Sequence, residues 1–368
     1  MILVTGGTGF VGEEVVRELL TLGCRVRLLV RNPQRAVQFA HHPQVELMPG
    51  DALQPETLSS ALTGVQTVIH LIGYIAESAN VTFEQGHIET THNLLTAARQ
   101  AGTTRWIQMS AIGTRPWANS RYHRTKWQAE EMVRHSGLDW TIFRPSLIYG
   151  YDDRDRLLNL LKQALSPPLD IILLHSFPLL DGGRPLIQPV SVREVARCFA
   201  HAPAKAMSIG CTYDLVGPVA FTWRDMVGKV AGTLGKKAIY EEVPLLLFLR
   251  MCLWLTAMIM PLLVIASFAA NKLSLFEAGM GAVVAILVVI LARRSRPVIL
   301  FNIPAEPMQV VAELFSALAP RSLQMSEQLK MAVENNTGDP WPAAKTFGYV
   351  PESFEQGVSR IIRPKSIS

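Results

Sequence analysis

Tyr122 and Lys126, in the run Tyr122-His123-Arg124-Thr125-Lys126, stand four residues apart, which puts both side chains on one face of a helix. A phenol, with a pKa of about 10, is a poor acid or base at neutral pH. A neighbouring ammonium stabilises the phenolate, so the pair can exchange a proton with a hydroxyl or carbonyl. The same spacing is common by chance, and it gains meaning from a second motif. Thr5-Gly6-Gly7-Thr8-Gly9-Phe10-Val11-Gly12 directly follows the apolar run Ile2-Leu3-Val4 and opens an amphipathic stretch. In that setting Gly6 permits a tight turn, Gly9 lets the backbone approach a pyrophosphate, and Gly12 allows a helix to pack closely on a strand. The N–H groups at the helix N-terminus would receive the phosphates. Together the two motifs predict a dinucleotide site with a proton-transfer group beside it.

The second apolar run ends in Leu28-Leu29-Val30-Arg31-Asn32-Pro33, with Arg35 close behind. A carboxylate at that point would take both ribose hydroxyls of NAD(H), whereas a guanidinium suits the 2′-phosphate of NADP(H). NADP(H) is therefore the expected cofactor, ahead of NAD(H), although Arg35 alone could equally sit on a solvated helix face. Asp51, in Pro49-Gly50-Asp51, follows the third run, where a carboxylate can accept from an adenine amino group or simply shape a turn. The four cysteines (Cys24, Cys198, Cys211, Cys252) lack paired spacing, and His70, His87, His92 and His123 lack ligand spacing. Neither a metal site nor a disulfide framework is expected. The histidines read as ordinary helix or sheet residues, and a reduced, cytosol-facing compartment is the simplest setting.

Short apolar β-rich runs alternate with amphipathic stretches over residues 1–150. Strands are predicted at Ile2–Thr5, Val26–Val30, Val45–Met48, Thr67–Leu71, Arg105–Met109 and Trp140–Phe143. Helices are predicted at Val11–Leu22, Thr57–Leu62, Phe83–Ala101 and Arg121–Ser136. That rhythm implies the α/β class, a doubly wound parallel sheet of the Rossmann kind. From about Tyr151 the pattern loosens, with helices expected at 191–202 and 222–234 in a small C-terminal substrate lobe. Beyond Pro297, Ala305–Ala319, Ser326–Glu334 and Glu352–Ile362 look helical, and Gly338–Pro351 reads as loop.

Charged residues make up only 18% of the 368 and hydrophobic ones 49%, a balance that argues against a disordered chain. A net charge of +5 is too mild for a nucleic-acid-binding face. No presequence is expected, since Met1 leads straight into an apolar run. One segment departs from the rest. Met251–Ala270 holds no Asp, Glu, Lys, Arg or His, and after Asn271-Lys272 the stretch Leu273–Ala292 is apolar but for Ser274 and Glu277. Twenty helical residues rise about 30 Å, the thickness of a bilayer's hydrocarbon core. Residues 244–297 are therefore expected to form a two-helix transmembrane hairpin, with Arg250 and Arg293, Arg294 and Arg296 on its cytoplasmic flank. Buried helices, or helices lying flat on a membrane, are the alternatives. The expected organisation is an NADP(H)-binding domain over 1–150, a substrate-type lobe and tail over 151–243 and 298–368, and the hairpin insert over 244–297. The globular part would lie on the cytoplasmic side of a membrane.

In order along the chain, the Gly6–Gly12 run, Arg31, Asp51, Tyr122 with Lys126, and Arg144-Pro145-Ser146-Leu147-Ile148-Tyr149-Gly150 resemble the short-chain dehydrogenase/reductase superfamily, in its extended or atypical branch. The stretch from Met109 to Glu130 is most similar to one group, the Rossmann-type accessory subunit of respiratory complex I and its bacterial relatives. The resemblance spans nearly the whole chain apart from residues 244–297. It implies cofactor contacts from Gly6, Thr8, Gly9, Phe10, Val11 and Gly12, and from Arg31 and Arg35. It extends them to Asp51, Ala52, Leu71 and Gly73, and to Tyr122, Lys126 and Pro145. Ser110, Tyr122 and Lys126 would be the catalytic set. It also implies tight NADPH binding in a structural or regulatory role, with the subunits of a larger membrane complex and the bilayer as partners. Two features depart from the pattern. Ser110 is followed by Ala111 and Ile112, one or two places early for the third catalytic hydroxyl, and the soluble relatives lack the hydrophobic insert. The retained Tyr122 and Lys126 keep an alternative open, an active reductase, dehydrogenase or epimerase on a lipid, quinone, sterol-like or nucleotide-sugar substrate.

Overall fold

The computed structural model describes residues 1–78, 80–150, 176–241, 298–303 and 326–362. They fall in two compact units. One comprises Met1–Asp155, Pro185–Phe221 and Ala305–Gly357; the other comprises Arg156–Arg184, Thr222–Pro304 and Val358–Ser368.

The first unit is built on a parallel sheet of β1 (Ile2–Thr5), β2 (Val26–Val30), β3 (Val45–Pro49), β4 (Thr67–His70), β5 (Arg105–Met109), β6 (Asp139–Pro145) and a seventh strand, Cys211–Leu215. Their spatial order is β3-β2-β1-β4-β5-β6 and then Cys211–Leu215, every neighbour parallel. The chain runs outward from β1 to β3 and returns to lay β4 beside β1, so the order reverses between β1 and β4. In a doubly wound sheet the crevice at that reversal is where ligands bind.

Side-chain alternation divides the core in two. Ile2, Val4 and Leu28 face one cluster, where α1 (Phe10–Thr21) lays down Val11, Val15, Val16 and Leu19. Leu3, Leu29 and Val68 face the other, covered by α2 (Leu58–Leu62) and α3 (Thr90–Gln100) through Leu58, Leu62, Leu94 and Leu95. Each of these buried aliphatic side chains stabilises the fold by up to about 1.5–3 kcal/mol relative to exposure. α4 (Arg121–Arg134) follows β5, and α5 (Val192–His201) joins α1 in the first cluster. A Ser191–Glu194 capping box starts α5.

Three of the differences from the sequence expectation shape the first unit. The stretch expected as one helix from Phe83 begins instead with a π-helical turn, Glu84–Glu89, that runs into α3. The expected loop 338–351 holds a helix, Trp341–Phe347, with Pro342 in its first turn and Gly348 ending it at φ +67°. Proline just inside a helix start and left-handed glycine just past its end are favourable positions, not breakers. This helix buries Ala343, Ala344 and Phe347, and the Phe347 ring meets Phe143 at 5.3 Å and Tyr213 at 5.4 Å. The third difference is Cys211–Leu215, a strand added at the sheet edge without having been expected.

The expected membrane localisation is corrected. Among the described residues no helix is long and apolar enough to cross a membrane. α4, with 14 residues, rises only about 21 Å against the roughly 30 Å of a hydrocarbon core. The expected hairpin over 244–297 and the expected helix Ala305–Ala319 lie outside the described residues.

The second unit contains a three-stranded parallel sheet in the order Ala238–Glu241, Val298–Ile303, Ser176–Leu180. Its helix Trp223–Thr233 starts from a Thr222–Asp225 capping box. The Arg224 guanidinium lies 3.7 Å from the centre of the Tyr240 ring.

Candidate functional site

The glycine-rich turn leaves the C-terminal end of β1, beside the reversal of strand order. Gly6 takes φ +75°, and a Cβ there would stand 3.1 Å from the backbone of Leu71 and Ile72. The Gly9 N–H donates to the Gly6 carbonyl at 3.0 Å and closes the turn. A Cβ on Gly12 would run into the Gly6 carbonyl oxygen and lie 2.7 Å from the Gly7 Cα, so only glycine lets α1 begin this close to the turn. Gly9 is the N-cap of α1 and offers no side chain to occupy the first N–H groups. Those donors, with the positive end of the helix dipole, form a cradle suited to a pyrophosphate. Thr8 and Phe10 are half-buried at its rim, while Val11 turns into the core.

Arg31 leaves the end of β2 and Arg35 sits in the 3-10 turn Pro33–Phe39; both are exposed. Neither guanidinium makes an ion pair among the described residues, so both can receive a phosphate. Asp51 serves its own turn, its Oδ1 accepting from the Leu53 N–H at 3.0 Å while its N–H donates to Thr57 Oγ1 at 3.1 Å. Ala52 is buried, and its carbonyl accepts from Asn93 Nδ2 at 3.0 Å.

Ser120 caps α4 by accepting from the His123 N–H at 3.2 Å, which puts Tyr122 in the first helical turn and Lys126 one turn later. Lys126 is buried, and its amine donates to the Met109 carbonyl at the end of β5 at 3.1 Å. Burial pulls this ammonium down to about 8, against the pull of Glu130. Gly73 abuts the amine, since a Cβ there would stand 2.7 Å from Lys126 Nζ. The Tyr122 ring is boxed by Phe83 at 5.8 Å, His87 at 5.3 Å and His123 at 5.1 Å. Burial pushes its phenol up to about 12, opposite to the phenolate stabilisation expected from the Tyr/Lys spacing. Desolvation is the cause of that rise, and the phenol keeps its proton at neutral pH. The Ser110 hydroxyl is buried and donates to Thr114 Oγ1 at 3.3 Å. The Pro145 carbonyl accepts from the Ile112 N–H at 3.0 Å and ties the loop after β5 to β6.

The structure thus gathers Gly6, Gly9 and Gly12 in one turn and brings Gly73, Tyr122 and Lys126 around another point, while Ser110 bonds with Thr114 and Asp51 with its own turn. Besides His123 against the Tyr122 ring, two more histidines read from sequence as ordinary residues enter the site. His70, fully buried, lies between Thr5 Oγ1 at 2.7 Å and Thr91 Oγ1 at 3.3 Å. Burial, reinforced by Lys126, lowers its pKa to about 3. His87 contacts the Tyr122 ring, and burial with the Lys126 charge keeps it neutral. No local signal marks them, because their partners stand far away in sequence. The helix Ser326–Ala332 and the residues just after it also border the site: Glu327 accepts from the Arg121 N–H, Gln328 Nε2 donates to the Ile75 carbonyl at 3.4 Å, and Glu334 pairs with Arg115 at 3.0 Å. Among the described residues no cluster of three or more His, Cys, Asp or Glu could hold a metal ion.

Residues 6–164 match the family described as NAD(P)H-binding. NADH dehydrogenase (ubiquinone) 1 alpha subcomplex subunit 9 of Arabidopsis thaliana is 31% identical over 248 residues, 66% of this chain and 60% of that protein. The NAD(P)H azoreductase of Xenophilus azovorans is 26% identical over 247 residues, 67% of this chain and 78% of its own. The chain therefore spans about six tenths of the first relative's length. Among solved structures, the Escherichia coli NADPH-dependent quinone oxidoreductase QOR2 in complex with NADPH superposes with a TM-score of 0.65 at 18% identity, covering 99% of this chain and 100% of that one. At that identity the likeness is one of fold.

Proposed function

We propose that the chain, whose residues 6–164 match an NAD(P)H-binding family, is an NADP(H)-binding, short-chain dehydrogenase/reductase-like accessory subunit or assembly factor of a larger electron-transfer complex. The contrast between the two halves of the site carries this reading. The nucleotide half is built for binding, with a turn closed at Gly12 to any Cβ and with Arg31 and Arg35, after β2, exposed and without ion pairs among the described residues. In the proton-transfer half the Ser110 hydroxyl is taken up by Thr114, and burial holds the Tyr122 phenol up at about 12. Gly6, Gly9, Gly12 and the α1 N-terminus would hold the pyrophosphate, and Arg31 and Arg35 the 2′-phosphate. When bound, the cofactor supplies a nicotinamide able to transfer hydride. The named subunit among the relatives supports a place in a complex.

One observation favours a second reading, an NADP(H)-dependent oxidoreductase. Tyr122 and Lys126 share a face of α4, and a buried ammonium at about 8 releases a proton far more readily than an ordinary lysine. The azoreductase among the relatives points the same way. A pull-down of the tagged full chain tests the two readings. The accessory role predicts co-purifying NADP(H) and a constant set of partner proteins, both unchanged by Tyr122→Phe. Turnover of NADPH with an added ketone or quinone, abolished by Tyr122→Phe while binding persists, would favour the enzyme.

A further inference from the structure

We propose that His87 is a positioning residue that locks the loop after β4 to α4 and so sets the gap between Gly73 and the Lys126 amine. The inference rests on the reading that Tyr122, Lys126 and the glycine cradle belong to one cofactor site.

The π-helical turn Glu84–Glu89 carries His87, which is 1% exposed. Single π turns recur where a functional side chain must be re-aimed, because the additional residue per turn rotates the following side chains. Here the imidazole makes contacts in three directions. Nδ1 lies 2.8 Å from Thr125 Oγ1, on the turn of α4 between Tyr122 and Lys126. Nε2 lies 3.2 Å from the backbone N and 3.1 Å from the carbonyl of Tyr74, in the loop after β4. The ring meets Tyr122 edge-on at 82° and stacks on Phe83 at 5.6 Å.

A neutral imidazole has one donor and one acceptor. The Thr125 hydroxyl already donates to the Arg121 and Tyr122 carbonyls, each at 3.0 Å, so it accepts from the imidazole Nδ1–H and leaves Nε2 to accept from the Tyr74 N–H. The ring is therefore a two-ended link between the loop and the helix. What that link holds is visible at Gly73, whose Cβ, if present, would stand 2.7 Å from Lys126 Nζ and 3.8 Å from His87 Nε2. Gly73 thus leaves just the room the amine needs, while the amine donates to the Met109 carbonyl at 3.1 Å. Without the imidazole, nothing else described ties the Tyr74 peptide to α4. The Glu77–Arg121 ion pair at 3.3 Å still ties the loop to α4 three residues further on, so it is the Gly73–Tyr74 stretch that would then be free to shift against the amine.

Three variants of the full chain test the proposal by two measurements, hydrogen exchange at the Tyr74 amide without nucleotide and NADPH affinity from nicotinamide fluorescence. His87→Leu, which severs both ends, should accelerate Tyr74 exchange and raise the NADPH dissociation constant, each at least tenfold. Thr125→Val, which severs only the α4 end and leaves the imidazole in place, should do both to a smaller degree. His87→Gln, whose amide reaches the Tyr74 peptide with a donor and an acceptor, should restore slow exchange. If His87→Leu leaves Tyr74 exchange as slow as before, or quickens exchange equally across the whole sheet, the link is refuted. Failure of the unmodified chain to bind NADPH would refute the cofactor site, while the exchange measurement would still decide the link.

Discussion

Gly12 and His70 show how single residues bind the site to the sheet. Any side chain at Gly12 would push α1 off the turn proposed to receive the pyrophosphate. Gly12→Ala is therefore expected to weaken NADPH at least tenfold, about 1.4 kcal/mol, with fluorescence titration as the readout. His70 makes an acid-sensitive core. Its ordinary pKa is 6.5, and in the fold it falls to about 3. Between those values the unfolded chain holds a proton that the folded chain lacks, so stability falls as pH drops. One proton corresponds to a slope of about 1.4 kcal/mol per pH unit. Denaturant titrations at several pH values should find that slope reduced by up to this amount in His70→Gln. The glycine run and the Tyr122/Lys126 spacing were legible in the sequence because each is local. His70 and His87 were not, because their partners Thr5 and Thr125 lie 65 and 38 residues away.

Between elements, α4 is fastened to the sheet by Glu130. This fully buried carboxylate accepts from Arg144 Nε at 2.8 Å and Nη2 at 2.6 Å on β6, and from Arg134 Nη2 at 2.7 Å on its own helix. Breaking a buried pair leaves an uncompensated charge, at a cost of about 3–5 kcal/mol. Both guanidiniums keep a quarter of their side-chain surface in water, so Glu130→Ala should lose about 3 kcal/mol, the lower end of that range. A chemical-denaturation midpoint measures it, and an unchanged midpoint would show that solvent compensates the arginines. The alternating pattern revealed β1 to β6 to within two residues at each end, because strands buried on both faces must be apolar runs. The helix Trp341–Phe347 was hidden by the residues that delimit it, since proline and glycine read as loop until their positions in the helix are known. The π turn at Glu84–Glu89 was equally illegible. Its apolar spacing is that of a helix, and tertiary contact selects the wider turn.

At the scale of the molecule, the order of strands puts the turns after β1, β2 and β4 at one end of the sheet, and the proposed function assigns the choice of nucleotide to the charges at that end. Arg31 and Arg35 are exposed and free of ion pairs among the described residues. Replacing both by alanine should weaken NADPH tenfold to a hundredfold, the equivalent of one charged hydrogen bond of about 1.5–3 kcal/mol, and leave NADH nearly unchanged. Equal losses for both nucleotides would reassign the arginines to the surface. The fold class was legible from the rhythm of runs. The membrane localisation drawn from the apolar stretches was not upheld by any described helix. The central claim is that this chain holds NADP(H) as a part of itself. Mass spectrometry of the nucleotide released from the purified full chain tests that most directly. The account predicts nearly one NADP(H) per chain, retained in Tyr122→Phe. A nucleotide-free chain that binds added NADPH only at millimolar concentrations would contradict it.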